Sequence, residues 1–387
     1  MSGLRQIFFI VTLLIIYGSL FPFSFEAKNL SAINWWDWLF SFESRTTRGD
    51  ILGNILLFIP FGFFGALGFS HTDPAINRRY NFILILGGFA FAVLLQGLQL
   101  FLPSRVSTAG DAWANATGLL VGIILMRILA SSRVARWFDS DEPTQTLTVP
   151  VILVACWLGY HWFPFIPSFD WLQIKFSFKP LSHWHLITPF QLVDQFLAWL
   201  MFWYFLDKIV PRQLSYYHRL AIIFVIMIVQ ILLVRNLMSL NSLIASVFAV
   251  AVFQFAGSKI KSHWAALLLL WLLIRSWYPF SLNETDTIHW IPFASYLSGS
   301  LWINSYQVFE NLFFYGASFY LLNRWLHNWK WACGLLTGWL LIIEFGQIWI
   351  GTRNAEFTDP LIAFFLSLGF ARLQTLPVKQ ISTSPVD

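Results

Sequence analysis

QGLQLFLPSRVSTAGDAWANATGLLVG, residues 96–122, closes one apolar stretch, crosses a short polar loop and opens another. Stretches of roughly 20 mostly apolar residues are what an α-helix needs to cross a bilayer. The string therefore reads as the polar turn of a membrane helical hairpin, with its polar groups spaced Gln99-x5-Arg105-x5-Asp111-x3-Asn115. The spacing returns 248 residues later as Gln347-x5-Arg353-x5-Asp359. A polar pattern that recurs inside an apolar chain points to a repeated membrane module.

The rest of the chain agrees. Hydrophobic residues make up 57% and charged residues 11%, against about a quarter charged in soluble domains, and mean hydropathy is +0.65. About twelve apolar stretches follow one another, near 5–22, 51–69, 82–102, 112–130, 147–163, 190–207, 219–235, 240–256, 264–280, 306–322, 331–350 and 359–373. The fold expected is all-α and polytopic, with almost nothing left over for a soluble domain. The first stretch has only Arg5 ahead of it and no small-residue cleavage site after Leu20, so it reads as a retained span. Cys156 and Cys333 fall within spans, which leaves no disulfide framework and no metal-ligand spacing.

Basic residues set the orientation. Placing the N-terminus and the even-numbered loops on one side collects fifteen Lys and Arg there and nine on the other. Both termini are then expected in the cytoplasm, in a multi-pass protein of the inner (cytoplasmic) membrane. On this reading the net charge of +5 reflects topology and carries no nucleic-acid footprint. Aromatic residues crowd the outer loops, as in INWWDWLF and SHWHLITPF, as they do at membrane interfaces.

A shorter motif counts the repeats. SLFPF around Pro22 recurs as HWFPF around Pro164 and SWYPF around Pro279, each ending the first span of a four-span group. Pro22 to Asn54 and Pro279 to Asn311 are both 32 residues. Three pseudo-repeated four-helix blocks result, at 1–138, 146–257 and 263–373, with a polar cytoplasmic tail over 374–387. The middle block is degenerate in its polar positions.

Within the first block, Asp50 and Asn54 share a helix face at the start of span two, and Gln96 and Gln99 share one near the end of span three. Asp111, Asn115, Gly118 and Gly122 form one stripe on span four. Alternating span directions bring these ends together at the outer surface, with Arg105 in the loop between them. Gly118/Gly122 and Gly62/Ala66 supply the small residues that let membrane helices approach closely, and Pro60 is expected to kink span two.

These residues resemble the VanZ-like membrane family, named for an accessory teicoplanin-resistance protein. The pattern is D-x3-N-x3-F-x-P-x-G, then E/Q-x2-Q-x5-R-x5-D-x3-N-x2-G. Here it reads RGDILGNILLFIPFGFFGAL and LQGLQLFLPSRVSTAGDAWANATGLLVG, and partly again as QVFENLFFYG and IIEFGQIWIGTRNAEFTDP. The resemblance implies a cell-envelope role that alters access to cell-wall precursors. Neither copy is complete: Gln96 stands where the family carries Glu, and the third block has Gln307 and Ala363 at the places of Asp50 and Asn115.

The residues allow competing roles. Arg105 and Arg353 suit bidentate contact with a phosphate or carboxylate, or else snorkel to headgroups. Asp111 and Asp359 are carboxylates for ligand or catalysis, or helix caps; Asp359 precedes Pro360 as a cap precedes a first-turn proline. Glu344 is an intramembrane carboxyl that faces a cavity, pairs with Arg353 or bonds Gln347 as a neutral acid. Asn54, Asn311, Gln99 and Gln347 touch ligand or join helices.

The preferred function is binding of an anionic or amphiphilic envelope molecule at the outer leaflet, a membrane lipid or a lipid-linked or glycopeptide-related precursor. The ligand set is Arg105, Asp111, Asn115, Asn54, Gln99, Arg353, Glu344, Gln347 and Asp359. One alternative is a membrane enzyme acting on a lipid-linked phosphate through Asp50, Asp111 or Glu344; another is a transporter or flippase. No cofactor, metal or nucleic-acid partner is called for, and no protein partner is legible. Against transport, the polar groups cluster at one face, whereas carriers bind near the midplane.

Overall fold

The structure, a computed structural model, describes residues 3–26, 48–71, 73–103, 108–129, 145–210, 214–234, 236–256, 264–281, 291–294, 296, 301–350 and 355–375. Among them are thirteen α-helices. In chain order they are α1 Gly3–Leu20, α2 Arg48–Gly68, α3 Pro74–Gln99, α4 Ala109–Leu129, α5 Gln145–Trp162, α6 Trp171–Phe178 and α7 Pro189–Ile209. They continue as α8 Tyr216–Ile231, α9 Leu240–Ala256, α10 Trp264–Trp277, α11 Leu301–Leu326, α12 Trp329–Gln347 and α13 Thr358–Thr375. Each apolar stretch coincides with one helix, and α6 is the addition. Ile51–Gly68, Pro74–Gln99 and Ala109–Ile128 are long and apolar enough by themselves to cross a membrane.

The chain forms two compact units that divide between Thr144 and Gln145. The first contains α1 to α4. Here α2 and α4 pack backbone to backbone, because glycines face the contact from both sides. A Cβ at Gly62 would lie 2.1 Å from the Leu119 carbonyl oxygen, and one at Gly118 2.2 Å from that of Ile55. Beside the seam Phe61 stacks on Phe91, with Phe58 tilted against both, and Phe8 of α1 lies against Phe61. Arg5 closes the opposite end: its Nε donates to the Gly68 carbonyl at 3.1 Å, a C-terminal group with no partner within its own helix. α2 runs continuously through Pro60.

The second unit contains α5 to α13, with α7 and α11 at its centre. Residues 197–205 of α7 and 313–322 of α11 are buried on every side, which explains their lack of a polar face. Trp157, Trp199, Trp203, Phe205, Phe313, Phe314 and Phe319 fill the space around them. Lipid is as apolar as these side chains, so close packing rather than escape from water holds such helices together.

The three FPF-type motifs adopt one backbone form. Their Phe21-Pro22, Phe163-Pro164 and Tyr278-Pro279 bonds are cis, and the next residues, Phe23, Phe165 and Phe280, have φ of 63°, 61° and 63°. In each, that phenylalanine N–H donates to the carbonyl three residues back, on Leu20, Trp162 or Trp277, at 2.7 to 2.8 Å.

Candidate functional site

At one end of the first unit, four helix ends are tied by polar side chains. Asn54 of α2 donates Nδ2–H to Asp111 Oδ1 of α4 at 2.7 Å. Gln99, the last residue of α3, donates to the Ser19 carbonyl of α1 at 2.8 Å. The start of α4 explains how the carboxylate is held. Thr108 precedes the helix, accepts from the Asp111 backbone N–H at 3.2 Å and donates its hydroxyl to Asp111 Oδ2 at 2.9 Å. This is a capping arrangement, T-x-x-D, in which the acidic side chain also gains from the helix N-terminus. Hydrogen bonds to a charged group are worth ~1.5–3 kcal/mol each.

One turn along, Asn115 is 2% exposed, and its Oδ1 has no hydrogen-bond partner among the described residues. Gln96 is buried on α3. Arg105 and the Asp50 side chain lie outside the described residues, as does Arg353.

A matching set occurs in the second unit. Asn311 of α11 donates Nδ2–H to Asp359 Oδ1 of α13 at 3.2 Å, and Gln347, the last residue of α12, donates to the Ser276 carbonyl of α10 at 3.5 Å. Asp359 thus ties helices together, a different contact from the capping that its Pro360 neighbour suggests. Tyr296 joins this pair, accepting from Asn311 at 2.7 Å and donating to Asp359 at 3.2 Å. Burial, reinforced by the Asp359 carboxylate, holds the Tyr296 hydroxyl well above its ordinary range, so it stays a donor.

Glu344 is buried, and its Oε2 accepts from the Glu356 backbone N–H at 2.9 Å. Glu356 accepts from Thr358 Oγ1 at 2.8 Å, and Thr358 from the Phe293 N–H at 2.7 Å. A cavity of ≈ 10 Å³ between Glu344, Glu356 and Phe345 has room for about one water. Between α7 and α9 the analogous tie is neutral: Asn241 Nδ2 donates to Gln191 Oε1 at 2.7 Å.

Three ionisable residues also meet in the second unit: Arg275, which sequence reasoning counted only for topology, Asp194, which it placed in the degenerate block, and Glu310, which it did not single out. Arg275 of α10 contacts Glu310 of α11 and lies 3.8 Å from Asp194 of α7. Trp271 Nε1 donates to Asp194 at 2.9 Å, and the guanidinium sits over Phe314 at 4.8 Å. Their signal was charge inside an apolar stretch, which is costly unless paired. Thr108, Glu356 and Tyr296 were also missed, although T-x-x-D before an apolar run is a readable cap. Among the described residues no three of His, Cys, Asp or Glu converge as a metal site.

The family model described as VanZ/LLP1 matches residues 8–130, the span of α1 to α4 and the Asn54–Asp111 tie. Residues 8–130 form a VanZ-like module. The VanZ-like assignment, together with the apolar helices, makes the chain a membrane protein. No curated protein and no solved structure matches the sequence. The module's motif residues now have positions: Asn54 and Asp111 bond each other, Gln99 holds α1, and the glycines form the α2–α4 seam.

Proposed function

We propose that this is an envelope protein of the cytoplasmic membrane, with its twelve long helices spanning in three pseudo-repeated blocks. It binds an anionic or amphiphilic envelope molecule at the outer leaflet, such as a lipid-linked cell-wall precursor. The observation that carries this reading is the buried Asn115 Oδ1, which has no partner among the described residues, one turn from the Asn54–Asp111–Thr108 group. A buried acceptor left unpaired costs ~1–3 kcal/mol, and a ligand hydroxyl or amide relieves that cost. Arg105 stands three residues before Thr108 in sequence and supplies a planar fork for phosphate or carboxylate. The Asn311–Asp359 and Gln347–Ser276 contacts support the repeat and a second site of similar layout, with Arg353 and Glu344 among its groups. The VanZ-like module supports a role linked to antibiotic resistance.

Purified protein in lipid nanodiscs should retain a lipid-linked cell-wall precursor, read by native mass spectrometry. Arg105→Lys should weaken retention about ten-fold, the equivalent of losing one charge-assisted hydrogen bond. Full retention in Arg105→Lys but not Arg105→Ala would reduce the residue to a charge anchor. Retention unchanged in both would remove it from the site.

Topology gives a separate check. In a chain with Cys156 and Cys333 replaced, a cysteine introduced at position 45 or 105 should react with an impermeant reagent on intact cells. One at position 133 should not. The reverse pattern would put the site on the wrong side for an outer-leaflet ligand.

A further inference from the structure

Between α5 and α7 the chain makes a surface segment, residues 169–186, that the proposed site does not use. Its back is pinned to the α8–α9 connection. Ser168 N–H donates to the Leu232 carbonyl at 2.7 Å, Val234 N–H to that of Ile166 at 2.9 Å, and Met238 N–H to that of Ser177 at 3.0 Å. Asp170 caps α6, accepting from the Leu172 N–H at 3.0 Å. Helical periodicity then sorts the side chains: Ile174 packs on the core and Ser177 is buried. Trp171, Leu172, Lys175, Phe176 and Lys179 share the other face, and all are exposed.

That exposure is large where it should be small. Trp171 is 73% exposed, Phe169 79% and Trp184 78%. A rigid platform showing Trp, Phe and Leu to water is unfavourable, whereas the same side chains at a bilayer surface bury their rings at headgroup level. Within residues 169–186 the side-chain charges are Lys175 and Lys179 against one acid, Asp170, whose carboxylate is engaged in capping α6. Both flanking helices are apolar, which keeps the segment at a membrane surface.

We infer that residues 169–186 lie in the plane of the membrane surface and bind anionic lipid. The aromatic residues and Leu172 enter the boundary between headgroups and acyl chains, and Lys175 and Lys179 meet lipid phosphates. The outer-leaflet ligand reading is not needed for this; the membrane location is.

The test uses the full chain in nanodiscs of equimolar phosphatidylcholine and phosphatidylglycerol. A photoreactive benzophenone amino acid at position 172, 176 or 184 should form lipid adducts on irradiation, and one at position 177 should not. Adducts to protein, or none at all, would overturn the placement. In a second measurement, phosphatidylglycerol retained through detergent extraction should fall about five-fold for each lysine in Lys175→Gln and Lys179→Gln. Retention equal to wild type would overturn the headgroup binding. Both lysines are exposed, so these variants keep the core intact.

Discussion

Gly118→Leu should dismantle the α2–α4 pair and lower the melting temperature of the first unit by about 10 °C or more. A Cβ there would lie 2.2 Å from the Ile55 carbonyl oxygen, and next along the stripe a Cβ at Gly122 would lie 2.2 Å from that of Ile59. The obstacle is backbone, which cannot rotate aside as a side chain does, so the helices must separate along the seam. Overpacking costs ~1–3 kcal/mol where side chains can shift, and the upper end is expected here. For a unit of this size ~3 kcal/mol corresponds to a shift on the order of 10 °C. The Asn54–Asp111 bond joins the same two helices at 2.7 Å, so ligand retention should fall with stability. Gly87→Leu is the control, because nothing lies within 4 Å of a Cβ at that position. Equal melting of the two variants, followed by fluorescence-detected size exclusion after heating, would show that the seam does not hold the unit.

Arg275→Met is the second large effect. The guanidinium contacts Glu310 and lies 3.8 Å from Asp194, and the two carboxylate side chains are only 9% and 12% exposed. Removing the cation leaves two acids together in a medium that solvates charge poorly, and breaking such a buried pair costs ~3–5 kcal/mol. Thermal melting of the purified protein should drop accordingly. Replacing all three charges, as Arg275→Met with Asp194→Leu and Glu310→Met, should recover most of that loss, since apolar substitution of a complete buried group is often neutral. A triple variant no better than the single would mean that Arg275 acts through packing on Phe314, 4.8 Å from its guanidinium, and not through charge.

Much of the site could be read without coordinates because it depends on local spacing. Asn54, Gln99 and Asp111 fall at ends of apolar stretches whose alternating directions suggest one shared end; in the structure Asn54 bonds Asp111, while Gln99 bonds the Ser19 carbonyl instead. Gly118 and Gly122 repeat at helical spacing, so their shared face was visible too. The partners were harder. Glu344 also accepts from a backbone N–H on Glu356, twelve positions on, a contact that spacing did not suggest. Asp359 read as a cap, but its carboxylate accepts from Asn311 and Tyr296.

What the sequence by itself determined is where the helices are and which of their ends are polar. Apolar length and side-chain periodicity are properties of a few consecutive residues, and backbone hydrogen bonding within lipid leaves the helix as the local solution. Tertiary structure alone decided which charges meet. Arg275, Asp194 and Glu310 belong to three different helices, with α7 well before α10 and α11 in sequence, and each taken singly is a topology mark or a costly charge. Only the packing of α7, α10 and α11 turns them into a compensated group, because Coulomb energy depends on distances in space that residue spacing does not encode.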